Sequence, residues 1–331
     1  MVSTRVLVFF CLLITVLLIT GSTKTQQPKK IPRIGYVSGT GVSKSPGPQV
    51  ETFRQGLRDL GYVEGKNIQV EYRYSLDGRD SVSDLTTELV RLKVDVLVVP
   101  TTLAIRAAKN ATKIIPIVMV SPIDPVAAGF VASLARPGGN ITGVARLTRE
   151  LSRKRLELFK EAVPRISRAG VLWDRNAPGP ALAFKEYEAV ARGLKLNLQS
   201  LDVQGPDSDV DGALQAATKE RLNALIVVRS GGVDRHSKRI VDFAIKNRLP
   251  SVWEGSEFIE AGGLMSYTAY EAESFRRAAT YVDKILKGAK PMDLPIEQPT
   301  KFEMAVNLKT AKQIGVTIPP HVLLRADKVI R

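Results

Sequence analysis

The chain has 331 residues, with 48 Lys and Arg against 33 Asp and Glu, a formal net charge of +15, one Cys and two His. That length buries an ample core in two domains without covalent staples, and a single cysteine, Cys11, excludes an intrachain disulfide. The basic residues are scattered among acids, as at Arg54/Arg58, Arg153/Lys154/Arg155 and Arg276/Arg277, without an RNP, zinc-finger or basic-region pattern, so they read as a solvated surface rather than a nucleic-acid face.

Met1–Arg5 is basic, Val6–Ile19 is apolar except at Cys11 and Thr15, and Thr20-Gly21-Ser22-Thr23 is small and polar. This order predicts an export signal over residues 1–22, cut after Ser22, and a flexible tether over 23–31. The apolar run is shorter than the about 20 residues a spanning helix needs; a retained anchor is the other reading. Cys11 lies inside the run behind Phe9-Phe10, which excludes a lipoprotein. The expected location is periplasmic.

Short β-rich runs then alternate with amphipathic ones, which predicts an α/β fold with parallel sheets. Strands are expected at Ile34–Val37, Ile68–Tyr72, Val94–Val99, Ile117–Val120 and Ile141–Ala145. Helices are expected at Val50–Leu60, Ser83–Leu92, Thr102–Ala111 and Val126–Leu134, from apolar spacing and from stop signals such as Gly61. The pattern then starts again. Strands at Arg168–Leu172, Leu196–Val203, Asn223–Val228 and Leu249–Trp253 alternate with helices at Pro180–Leu194, after Asp207-Ser208-Asp209, and at Lys238–Lys246. Two tandem doubly wound lobes follow, and such units bind ligands beyond the carboxyl ends of their strands, here in a cleft between lobes. Gly- and Pro-rich turns at 136–140, 260–263 and 291–299 are the candidate hinge crossings. They assign 32–145 with 264–290 to the first lobe and 146–263 with 291–331 to the second.

Several motifs carry a family resemblance. The stretches Phe53-Arg54-Gln55-Gly56-Leu57 through Gly65-Lys66-Asn67-Ile68, Ala135-Arg136-Pro137-Gly138-Gly139-Asn140-Ile141-Thr142-Gly143, Ala261-Gly262-Gly263-Leu264-Met265-Ser266-Tyr267, 279–291 and 307–312 resemble the ABC-transporter substrate-binding family that includes the tryptophan and tyrosine importers. The resemblance runs from about Pro32 to Arg331. It implies a type I periplasmic-binding-protein fold with three inter-lobe crossings, no catalysis and no cofactor. It also implies a monomer that closes about its hinge on a small-molecule solute and delivers it to an inner-membrane ABC permease. A ligand-sensing subunit presenting the same cleft to a membrane receptor is the alternative.

Candidate ligand contacts lie at the predicted strand tips. Thr101 and Thr102 precede a helix, where hydroxyls and free N–H groups suit an anion; an ordinary N-cap is the competing role. Asp124 matches the family's Asp-Pro and suits a ligand ammonium or hydroxyl, or caps the helix that Pro125 starts. Ser38 is a weaker candidate. In the second lobe Asn176, Arg229, Ser230 and Glu254 follow strands. The Arg229 guanidinium suits a carboxylate, or else forms a surface or lobe-to-lobe salt bridge. The aromatic-amino-acid branch carries Asp-Asn where this chain has Arg229-Ser230. Tyr267 and Trp253 are expected to stack on a ligand ring or to pack in the core. Gly39-Thr40-Gly41 lacks the third glycine of a dinucleotide loop, and neither His236 nor His321 has metal-ligand spacing or a nucleophile elbow beside it. Arg229 with Thr101 and Thr102 favours a solute bearing a carboxylate.

Overall fold

The computed structural model describes residues 30–38, 47–75, 81–145, 148–176, 178–203 and 210–331. The export signal and most of the tether, Gly39-Thr40-Gly41 and Asp207-Ser208-Asp209 lie outside these residues. In the first lobe the chain forms β1 (Arg33–Ser38), α1 (Pro48–Asp59), β2 (Gln69–Tyr74), α2 (Val82–Arg91), β3 (Val96–Val99), α3 (Thr102–Ala111), β4 (Ile117–Ser121) and β5 (Ile141–Ala145). The sheet is parallel, in the order β2-β1-β3-β4-β5. Every residue of β3, β4 and β5 is buried, because helices cover both faces, as parallel sheets require. Leu89, Ala104, Ile105 and Ala108 seal one face, and Val50, Phe53 and Leu57 of α1 lie on the other.

Thr148–Ala162 is α4, a helix of 15 residues to which the sequence reading assigned no element. It leads into β6 (Arg168–Asp174), α5 (Pro178–Ala191), β7 (Asn197–Val203), α6 (Val210–Lys219), β8 (Ala224–Val227), α7 (Gly231–Arg235), α8 (Ser237–Lys246), β9 (Ser251–Trp253), α9 (Glu257–Glu260) and β10 (Met265–Ala269). After α10 (Glu271–Leu286) and a 3₁₀ turn at Pro291–Asp293 come β11 (Phe302–Asn307), α11 (Leu308–Ile314), α12 (Pro320–Leu323) and β12 (Lys328–Ile330). The second sheet runs β12-β11-β10-β9-β8-β6-β7, parallel except that β11 is antiparallel to β10. Its first five strands in sequence repeat the order of the first sheet, so the expected pair of doubly wound lobes is present.

The crossings differ from those expected. Met265–Ala269 bonds to β9 and β11 and therefore belongs to the second sheet, not the first. Residues around 291–297 return to the first sheet: Thr142 Oγ1 donates to the Leu294 carbonyl at 2.8 Å, and Ala145 N–H to that of Glu297 at 2.9 Å. The α10 helix also joins the first lobe, with Ala278, Ala279, Tyr281 and Val282 in the core beneath α1. The chain thus passes between sheets after Ala145, after Ala269 and between Glu297 and Phe302. Residues 136–140 and 260–263 are turns inside one lobe each, preceding β5 and β10.

The expected helix Val126–Leu134 is a set of turns. Asp124 Oδ1 accepts from the Val126 and Ala127 N–H groups and starts one turn, but Gly129 adopts φ +69°, a left-handed conformation that ends it. At Gly143, φ is +133° and a Cβ would stand 2.1 Å from the Met119 carbonyl oxygen. Only glycine lets β5 lie this close to β4 while its own carbonyl accepts from Glu297 N–H at 3.1 Å.

Candidate functional site

All three crossings leave the same edge. Ala145 and Ala269 end parallel strands, and Phe302, which begins the antiparallel β11, is in register with Ala269. Tyr270 N–H donates to the Lys301 carbonyl at 3.0 Å, tying the second crossing to the third. The carboxyl edges of both sheets are therefore joined at the three connections. Those edges are where doubly wound sheets hold ligands.

On the first lobe Ser38, Thr101, Thr102 and Asp124 stand at or just past the ends of β1, β3 and β4. Ser38 and Thr102 are buried, whereas Thr101 and Asp124 are half-buried. Thr101 Oγ1 accepts from Ala104 N–H at 3.3 Å, so Thr101 is the N-cap of α3. The remaining first-turn donors of this helix keep the dipole's partial positive charge. Asp124 Oδ1 accepts from Val126 N–H at 2.8 Å and Ala127 N–H at 3.1 Å.

On the second lobe Arg229, Ser230, Glu254 and Tyr267 form one cluster. Its centre is Arg155, expected with Arg153 and Lys154 on the solvated surface but buried here, because the fold lays its face of the helix against the second sheet. Arg155 of α4 has a side chain only 2% exposed. Its Nε donates to the Tyr267 carbonyl at 2.9 Å, and its Nη1 to the Tyr187 hydroxyl at 2.6 Å and Glu254 Oε1 at 2.9 Å. Burial alone would lower the guanidinium pKa; the facing Tyr187 and Glu254 outweigh it and raise it. Burial likewise pushes the Tyr187 phenol far above its ordinary range. Glu254 Oε2 accepts from Arg229 N–H at 3.1 Å, so this carboxylate braces the tip of β8 from within. A signal for Arg155 was present: it shares the helical spacing of the buried Leu151, Leu158, Phe159 and Ala162, and a charge on such a stripe is a buried charge.

The Arg229 guanidinium is engaged inside its own lobe. Nε donates to Asp234 Oδ2 at 2.9 Å, Nη2 lies 2.8 Å from Glu257 Oε1, and the group sits 5.6 Å from the centroid of the Phe258 ring. The expected alternative to a ligand contact, a bridge at the surface or between lobes, takes a different form here: Arg229 pairs with two acids of its own lobe. Ser230 caps the short α7, its Oγ accepting from Val233 N–H at 3.2 Å. Asn176 is exposed, and its N–H donates to Asp174 Oδ1 at 2.9 Å. Tyr267 is half-buried, stacked on Phe302 at 6.0 Å, and burial raises its phenol pKa. Trp253 is 1% exposed and stacked on Phe258, so it belongs to the core. A half-buried stacked pair, Trp173 and Phe184 with ring centroids 5.0 Å apart, is a further aromatic surface near the tip of β6.

Among the described residues no helix is long and apolar enough to cross a membrane. A model of the ABC transporter substrate binding protein family matches residues 38–330. The tyrosine-binding protein of Clostridioides difficile (strain R20291) is 25% identical over 274 residues, covering 80% of this chain and 75% of that protein. A conserved domain protein from Vibrio cholerae is similar in structure with a TM-score of 0.81 and 26% identity, over 91% of this chain and 100% of that one. The ABC domain from Streptococcus pneumonia in complex with L-Trp has a TM-score of 0.81 and 24% identity, over 90% and 99% of the two chains. With two like-wound sheets joined at their carboxyl edges and a family match across nearly all of the described fold, the chain belongs to the ABC transporter substrate-binding protein family, whose members hold solutes and do not transform them.

Proposed function

We propose that this chain is the extracytoplasmic solute-binding protein of an ABC importer, and that it captures an aromatic or amino acid between its lobes by hinge closure. The observation that carries the reading is the common attachment of all three crossings to the carboxyl edges of both sheets. A solute held at one edge is then within reach of the other on rotation about short connections. Ligand drives that rotation only through its better affinity for the closed form.

The α3 N-terminus behind Thr101 and Thr102 suits the carboxylate. Asp124 is the acidic candidate for an ammonium or hydroxyl on the first lobe. Tyr267 with Phe302, and Trp173 with Phe184, supply aromatic surface on the second. Arg229 is already compensated by Asp234 and Glu257, so the carboxylate is assigned to the first lobe. The tyrosine-binding relative and the tryptophan-bound neighbour support a solute of this class. Delivery to a membrane permease follows from membership in the family.

Calorimetric titration and thermal-shift measurements with L-tyrosine, L-tryptophan, aromatic carboxylic acids and neutral sugars test the reading. Stabilisation by one of the acids, with a smaller radius of gyration in its presence, is expected. Binding of a neutral sugar alone overturns the solute class, and binding without compaction overturns the closure. Asp124→Asn keeps the two capping hydrogen bonds and removes the charge. A drop in affinity of about tenfold, equivalent to about 1.4 kcal/mol, is expected with little change in the melting of the free protein. Unchanged affinity removes Asp124 from the site.

A further inference from the structure

The loops that enter the strands of the second lobe carry a concentration of positive charge at the pole opposite the candidate site. Arg165 precedes β6, Lys195 precedes β7, Lys219 and Arg221 precede β8, and Lys246 and Arg248 precede β9. Those four strands are parallel neighbours, so the loops crowd one edge. All six side chains are exposed, and none forms an ion pair among the described residues. The nearby Arg168 and Glu220 lie 3.7 Å apart and cancel one another. At the same edge of the first lobe the signs are mixed, with Lys66, Lys93 and Lys113 among Asp59, Glu64 and Asp95.

Helix dipoles account for part of the pattern only. Lys219 and Lys246 sit in the last turns of α6 and α8, where a cation answers the partial negative charge. Lys195, Arg221 and Arg248 stand past the helix ends with φ of 54°, 49° and 52°. Glycine or asparagine takes that left-handed conformation at less cost, so three cations crowd this pole at positions where the backbone disfavours them, against one, Lys93 at φ 53°, in the first lobe. Between α6 and α8 runs an open hollow of about 740 Å³, lined by Leu214 and Phe243, by Lys219 and Lys246, and by Asp211 and Asp242, the two acids being paired with Arg239 and Lys238. Apolar side chains in a hollow whose acids are already ion-paired, beside a crowd of cations without ion pairs, match a surface that offers phosphates and acyl chains together.

We infer that this pole of the second lobe docks on an anionic lipid surface, with the cations on headgroup phosphates and the α6–α8 hollow against the acyl boundary. The contact is independent of the solute reading, because it uses the opposite edge of the sheet.

The test is co-sedimentation of the full chain with vesicles of equimolar phosphatidylcholine and phosphatidylglycerol, and with phosphatidylcholine alone. Binding to the anionic vesicles, weakened by salt, is expected. The variant Lys195→Asn, Arg221→Asn, Arg248→Asn keeps residues that tolerate left-handed backbone. Each basic residue near an anionic bilayer contributes roughly fivefold to the binding constant, so this variant should bind on the order of 100-fold more weakly. Lys66→Gln, Lys113→Gln, Arg136→Gln removes equal charge from the first lobe and should bind as the unaltered chain does. Should the asparagine variant fail to fold by circular dichroism, glycine at the same three positions replaces it. Equal binding by the second-lobe variant, an equal loss in the first-lobe control, or binding of soluble polyphosphate without binding of vesicles overturns the inference.

Discussion

Arg155→Met is the most informative single change. Methionine keeps much of the apolar stem but removes three donors: to Tyr267 at 2.9 Å, to Tyr187 at 2.6 Å and to Glu254 at 2.9 Å. Glu254, with a side chain 9% exposed, is then left as a buried carboxylate without its cation. Removing one partner of such a pair costs about 3–5 kcal/mol, mostly because the other charge stays buried. For a lobe-sized domain each kcal/mol lowers the melting temperature by roughly 2–4 °C, giving a fall of about 6–20 °C. Circular dichroism melts with and without solute measure it. Adding Glu254→Gln to Arg155→Met removes the orphaned charge while keeping an acceptor for Arg229 N–H. The double variant should therefore melt higher than Arg155→Met alone, with a coupling of at least about 1 kcal/mol. A fall below about 3 °C for Arg155→Met, or simple additivity in the double variant, refutes the view that Arg155 neutralises Glu254 and braces the β8 and β9 tips.

Gly143→Ala places a methyl group 2.1 Å from a backbone carbonyl that cannot rotate away, at φ +133°. It should destabilise the first lobe by more than about 2 kcal/mol, read as a lower urea midpoint, and a midpoint like that of the unaltered chain would refute the fit. Tyr62 and Tyr72 have phenol pKa values pushed up to about 12 by burial, and at Tyr62 also by its hydrogen bond to Asp283. The folded chain holds these protons more tightly than the unfolded one. The resulting stability is fully present below about pH 10 and is lost as pH rises toward 12. Urea midpoints should fall across that window, and Tyr62→Phe should flatten part of the fall; an unaltered slope in Tyr62→Phe would remove Tyr62 as a cause.

The sequence by itself determined the two-lobed α/β fold and most of its strands, because a strand buried on both faces must be a continuous apolar run, as Val96–Val99 and Ala224–Val227 are. It also placed Thr101, Thr102, Asp124, Asn176, Arg229, Ser230 and Glu254 just past strand ends, since the position of a strand tip is a local property, whereas Tyr267 lies inside β10. It did not determine where the chain changes lobes. Met265–Ala269 reads the same in either sheet, and only hydrogen bonds to β9 and β11 assign it to the second. Nor did local pattern decide what each candidate side chain does. Arg229 is held by Asp234 and Glu257, and Glu254 by Arg155, 99 residues away in sequence. These pairings depend on which helix the tertiary fold lays behind which strand tip, and α4 crosses behind β10 only after the chain has left the first lobe. The sequence supplies the charges, and their spatial partners determine whether they face a solute or one another.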